Sequence, residues 1–309
     1  MSDLKLLVVC WSVALLFGGV ALQVAVADPQ SLRFHEVNAA DGTPLNVVET
    51  GNVDAPALLL LHGFSQSYLS FHPQLHDPDL TERFRVVAFD LRGHGGSGKP
   101  WLREAYAGHR PWADDVHRVI ETLKLDKPVI VGWSFGGYVA MDYIREYGAD
   151  SIAALVLTGS HAGLIARSDG PRPRYEGDLD VAIRNAREFM RLMSAKPVSD
   201  DMLDRGTYAH VMMPAYVRNA MIDKRLDNTD MLTSLSVRTL VILGDQDASL
   251  PTRPIQGILE VNRNITIKTL SGVGHSAFIE DAVSFNRELA QFVLDGKNAR
   301  NTATTILAH

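Results

Sequence analysis

The chain has 309 residues, 46% of them hydrophobic and 21% charged, with a formal net charge of −6. That length accommodates one large α/β domain or two small ones, and the composition belongs to a chain that buries a real core rather than staying disordered. The acidic balance excludes an extended nucleic-acid surface, which needs clustered Lys and Arg.

Residues 1–27 differ in kind from the rest. After Lys5 the segment 6–27 carries no charge, and it ends in Ala25-Val26-Ala27 before Asp28-Pro29. This is the layout of a secretory signal peptide with an A-x-A cleavage site, so export is expected. The same run is long enough to span a bilayer, and an uncleaved anchor is the alternative, the one form in which a membrane contact is expected. Cys10, the single cysteine, lies inside it. The mature chain then has no disulfide, thiolate metal site or cysteine nucleophile. Loss of Asp3 and Lys5 leaves the net charge unchanged.

Beyond the leader, short apolar runs at 45–48, 57–61, 84–89, 128–131, 154–157, 239–243 and 265–268 alternate with helical spacing near 112–124, 136–147, 254–262 and 281–294. Nearly continuous apolar strands imply burial on both faces. Their alternation with helices predicts an α/β fold, a mostly parallel sheet with helices on both faces. The first strands, joined by a short Asp41-Gly42 turn, are expected to form an antiparallel edge. The core so defined spans 28–161 and 236–296. Between them, 162–235 shows no convincing strand: a polar Gly/Pro/Arg stretch at 168–178 precedes amphipathic segments such as VAIRNAREFMRLM and PAYVRNAMIDKRL. A helical insertion is predicted there, with Met190, Met193, Met212 and Met213 read as core. The segment 297–309 is small and polar and is expected to be a loose tail.

Residues 93–100, GHGGSGKP, invite a nucleotide reading, because Gly93, Gly98 and Lys99 fit G-x-x-x-x-G-K-[ST]. Pro100 stands where that motif needs a hydroxyl for Mg²⁺. Proline also pushes Lys99 out of the helical region in which a P-loop lysine sits. A different turn is expected here.

The strongest local signal is Gly132-Trp133-Ser134-Phe135-Gly136, lying between a predicted strand and a predicted helix. A strand-to-helix turn this tight needs Gly132 and Gly136 and leaves the Ser134 hydroxyl exposed above the sheet. Serine at its free pKa needs a base, and the base an orienting acid. His275, directly after the last predicted strand, is the base candidate. His62, His94 and His161, and the i, i+4 pair His72 and His76, read as structural or surface residues, and no metal site is expected of them. The acid should follow a strand between serine and histidine; Asp247 is preferred over Asp245, which reads as a turn residue. Oxyanion donors are expected from the backbone N–H of Phe135, the residue after the serine, and of Phe64 in the LLLLHGFSQS loop.

Together these segments resemble the α/β-hydrolase superfamily, in its branch of serine esterases, haloperoxidases and C–C hydrolases. LHGF, FDLRGHGGSGKP, GWSFGG, GDQDASLP and GVGHSAFIED occur in that family's order across residues 40–295. The resemblance implies the α/β-hydrolase fold, a cap formed by 162–235 and no metal or organic cofactor. It also identifies Asp90, Arg92, Gly93, His94, Gly95 and Ser97 with the family's D-x-R-G-x-G-x-S structural turn, Gly96 being a variation. Serine at position 134 argues against dehalogenases and epoxide hydrolases, which carry aspartate there. The expected activity is that of an exported serine hydrolase cleaving a carboxylic ester or lactone of small-molecule size. A C–C bond hydrolase or a cofactor-free perhydrolase would use the same triad, and Arg167, Arg172 and Arg174 are the basic candidates for a carboxylate substrate. A non-catalytic binding protein on this fold is the alternative of another class.

Overall fold

The computed structural model describes residues 31–166, 174–175, 177–222, 224, 226–250 and 252–307. The expected leader at 1–27, and Arg167 and Arg172, lie outside the described residues. Strands β1 (Arg33–Asn38), β2 (Pro44–Gly51), β3 (Ala57–Leu61), β4 (Arg85–Phe89), β5 (Val129–Trp133), β6 (Ala154–Thr158), β7 (Thr239–Gly244) and β8 (Ile265–Leu270) form one sheet in the order β1-β2-β4-β3-β5-β6-β7-β8. β1 pairs antiparallel with β2 and β2 with β4, and every other pairing is parallel. The β1–β2 turn is closed by Asp41, whose carboxylate accepts the Thr43 N–H at 3.0 Å, with Gly42 at φ 81.

Helices α1 (His72–Leu75), α2 (Pro78–Arg83), α3 (Arg110–Thr122), α4 (Phe135–Tyr147), α5 (Leu179–Met193), α6 (Asp200–Val211), α7 (Ala215–Met221), α8 (Thr252–Leu259), α9 (Ala277–Glu280) and α10 (Ala282–Leu307) surround the sheet. The alternation of the β3 leucines between the two faces shows why its sequence looks continuous. Leu59 and Leu61 join the core under α3 and α4, with Val116 and Val139. Leu58 and Leu60 join the opposite core, with Leu80, Phe278 and Leu289. A strand covered on both faces has no position for a polar side chain.

Two expectations change. β8 was read as buried on both sides, yet only Ile265 is buried, because β8 is the sheet edge and has one neighbouring strand. The last helix extends past residue 294, where the apolar spacing ends, to Leu307, through most of the segment expected to be loose. After Gly296 that segment has no glycine or proline to stop a helix, and Ala, Lys and Arg sustain one. Between β6 and β7 the described residues form α5, α6 and α7 and no strand. No helix of the described residues is long and apolar enough to cross a membrane.

Candidate active site

The turn at 90–99 is held from within. The Asp90 carboxylate accepts the N–H groups of Tyr68 at 2.7 Å and Gly96 at 2.7 Å and the Asn46 side chain at 2.9 Å. Gly95, at φ 43, passes so close to that carboxylate that any side chain would collide with it. Arg92 is buried and forks onto Asp115 at 2.7 and 2.6 Å. Lys99 turns its amine back onto the carbonyls of Gly95 and Ser97 at 2.7 and 2.8 Å, so it is spent on its own turn and not presented to a phosphate.

Ser134 stands at the junction of β5 and α4 with φ 50 and ψ −113, a conformation rarely held by a residue with a side chain and costing about 1–3 kcal/mol. The glycines make room for it. A side chain on Gly132 would lie 2.6 Å from Gly137 Cα, and one on Gly136 would collide with the Leu61 carbonyl at the end of β3. The Ser134 N–H donates to the Thr158 carbonyl at the end of β6 at 3.0 Å.

His275 reaches the same strand end from the loop after β8. Its ring and carbonyl lie against Gly159, where a Cβ would be 3.2 Å from ring Nδ1. The Trp133 indole N–H donates to the His275 carbonyl at 3.3 Å, so the residue preceding Ser134 is tied directly to the histidine loop. On the other side the His275 N–H donates to the Met193 carbonyl at 2.8 Å, the end of α5. No hydrogen bond joins the Ser134 hydroxyl to His275 in this structure; such contacts commonly tighten only with substrate bound.

Asp247 Oδ2 lies 2.8 Å from His275 Nδ1, and both residues are buried. Its other oxygen, Oδ1, accepts the N–H and hydroxyl of Ser249 at 2.8 and 2.7 Å. Burial pushes the Asp247 carboxyl up, but the hydrogen bonds and charge of His275, with the Ser249 donors, outweigh it and hold the group below its usual range. The carboxylate keeps Nδ1 protonated and leaves Nε2 as the acceptor nitrogen. Asp245 is placed elsewhere, accepting from Ser271 at 3.0 Å and the Gly272 N–H at 2.7 Å in an exposed turn.

Phe64 and Phe135 meet edge to face, with ring centroids 6.3 Å apart. Phe135 opens α4, so its N–H has no helical partner. Neither its N–H nor that of Phe64 donates to another group among the described residues. The Phe64 loop is fixed by buried His62, which contacts the Gly63 carbonyl through Nδ1 at 2.8 Å and accepts the Leu91 N–H on Nε2 at 3.0 Å. Burial lowers His62 to about 4 and His94 to about 3, so both are neutral structural rings.

Two adjoining cavities lie under α5–α7, the first reaching the end of β5 and the second bounded by the loop after β3. One, of about 420 Å³, includes Trp133, His275, Met190, Met193 and Arg205 in its walls. The other, of about 620 Å³, includes Phe64, Tyr175, Met213 and Arg218. Gln66, Phe189, Met190 and Gly206 belong to both. Met190, Met193 and Met213 are thus cavity walls rather than core alone, and Met212 is exposed. A methionine at helical spacing suits either setting, which is why its pattern misleads. Sequence reasoning also missed Ser249 and Trp133, although Asp-x-Ser is the spacing at which an aspartate caps its own turn.

The α/β hydrolase fold model matches residues 56–196. A Burkholderia cenocepacia protein assigned as an aryl esterase superposes with a TM-score of 0.79 and 30% identity, over 86% of this chain and 100% of its own. The chain belongs to the α/β-hydrolase superfamily. Esterase RhEst1 from Rhodococcus sp. ECU1013 is similar, with a TM-score of 0.74 and 27% identity over 84% of this chain and 98% of that one. A bifunctional esterase/perhydrolase, DCH from Acinetobacter calcoaceticus, is 27% identical over 278 residues, 83% of this chain and 98% of its own. These likenesses support a hydrolase on the α/β-hydrolase scaffold.

Proposed function

We propose that this hydrolase cleaves carboxylic esters or lactones through a Ser-His-Asp triad. The observation that carries the reading is the buried 2.8 Å pair of Asp247 and His275, set on the strand end to which Ser134 is also bonded. In the reaction, Ser134 Oγ adds to the substrate carbonyl carbon while its proton passes to His275 Nε2. Asp247 holds the ring and stabilises the imidazolium without taking the proton. The N–H groups of Phe64 and Phe135 receive the oxyanion, and loss of one such donor costs about 2.7–4 kcal/mol in known cases. Collapse expels the alcohol oxygen, which takes the proton from His275. Water then repeats the addition on the acyl-serine, with His275 again as base, and releases the acid.

The likeness to the esterase/perhydrolase favours one second reading, in which hydrogen peroxide replaces water as the acyl acceptor. Formation of peracid from a short carboxylic acid and peroxide distinguishes it. The apolar run 6–27 with its Ala25-Val26-Ala27 end supports export, and N-terminal sequencing of the cell-envelope and secreted fractions decides between cleavage and anchoring.

The direct test is Ser134→Ala against aryl esters of increasing acyl length. Turnover should fall by about 10⁴-fold or more with the thermal midpoint retained. Activity persisting in that variant overturns the assignment.

A further inference from the structure

We propose that the larger cavity is an anion subsite, in which Arg218 binds a carboxylate that the substrate carries away from the bond being cleaved. The inference rests on the ester-hydrolase reading and adds the substrate's charge to it. Arg218 lies on α7 and is only 4% exposed. A guanidinium this deeply buried is ordinarily paired with a carboxylate. Here, among the described residues, its partners are all uncharged. Nε donates to the Met213 carbonyl at 3.0 Å, and the two terminal nitrogens donate to His210, one to ring Nε2 and one to the carbonyl. Arginine only donates, so His210 Nε2 is the acceptor and the ring is neutral. Burial, and then the charge of Arg218, lower His210 to about 4, in keeping with that geometry.

Of five guanidinium N–H groups, three are spent, which leaves one on each terminal nitrogen. Those two N–H groups and the full positive charge remain for an acidic group brought into the cavity that Arg218 lines. The Tyr175 ring lies 5.4 Å from the guanidinium carbon, and Asn219 fixes Tyr175 by accepting its N–H and donating to its carbonyl, both at 2.9 Å. Tyr175 in turn lies 6.4 Å from the Phe64 ring, so the cation is connected to the expected oxyanion loop by one aromatic side chain. Among the described residues, the other charged members of the cavity are Arg174, which adds positive charge, and Asp178, whose carboxylate accepts the Val181 N–H at 2.9 Å at the start of α5. Among the described residues, two arginines therefore face one aspartate in this cavity, a local excess of positive charge in a protein of net charge −6.

The test compares 4-nitrophenyl hydrogen glutarate with 4-nitrophenyl pentanoate, which carries no distal charge. Wild-type kcat/KM should be higher for the glutarate. The ratio should fall by roughly tenfold or more in Arg218→Gln, the range expected for a lost charged hydrogen bond, and recover in part in Arg218→Lys. Because Arg218→Gln also removes contacts to His210 and Met213 and risks misfolding, the wild-type protein supplies a second readout. Free glutarate should bind by calorimetry and inhibit pentanoate hydrolysis competitively, more weakly as salt rises, whereas pentane-1,5-diol should do neither. A glutarate preference at or below one, with no glutarate binding, overturns the subsite. If neither ester is turned over, the ester-hydrolase reading fails, and glutarate calorimetry still decides the subsite by itself.

Discussion

Ser249 divides the labour of Asp247. By occupying Oδ1 with its N–H and hydroxyl, it leaves Oδ2 to His275, and its hydroxyl lies 3.0 Å from His275 Nδ1 as well. Ser249→Ala removes the hydroxyl donor and keeps the backbone one. The expected result is a drop in kcat of roughly tenfold, with KM and thermal midpoint close to wild type; an equal loss of stability would mean that Ser249 is merely structural. At this scale the sequence was readable wherever a residue's neighbours in the chain determine its setting. Ser134 is announced by its flanking glycines, and Asp247 by the strand before it. Arg218 and Met190 have no such local signal, because their surroundings come from segments far away in the chain.

Among the elements, the loops after β3 and β4 are locked together by His62 and His94, whose buried rings meet edge to face at 5.0 Å. Unfolding exposes both to water, where they titrate near 6.5. Since burial lowers them to about 4 and about 3 in the folded chain, the unfolded chain binds more protons below pH 6.5. Buried Asp115, raised to about 6, opposes this over the same window, but one carboxyl does not cancel two histidines, so stability should fall as pH drops from about 6.5 toward 4. His210 acts in the same direction. Asp247 and Glu49, held below their usual range, contribute only at lower pH still. Thermal midpoints at pH 7, 5.5 and 4.5 should decline, and His94→Gln should flatten the decline; a flat wild-type profile contradicts the neutral-ring account. The strands themselves were legible because burial on both faces writes a continuous apolar run. β8 misled because an edge strand can retain its isoleucines and a half-buried leucine while Thr266, Lys268 and Thr269 face water.

For the whole molecule, the question is how the insertion stays registered over the sheet. Lys224, only 2% exposed, reaches from the insertion to Asp142 on α4 at 2.5 Å and to the Gly108 carbonyl at 3.1 Å. Its amine lies 5.5 Å from the Trp112 ring, and His109 takes the other Asp142 oxygen at 2.5 Å. Lys224→Met takes the ammonium from a buried carboxylate and leaves it His109 alone, and should destabilise the protein by roughly 3 kcal/mol, measured by urea unfolding. An effect below 1 kcal/mol would show that the insertion is held elsewhere. No sequence pattern announces this pair, since a lysine and an aspartate 82 residues apart read as two surface charges. The central claim, that this assembly activates Ser134, is tested most directly by treating the folded protein with a fluorophosphonate and mapping the modified peptide. Labelling confined to Ser134 and lost in His275→Ala is the predicted result. A folded protein that takes no label at Ser134, or takes it equally without His275, contradicts the account.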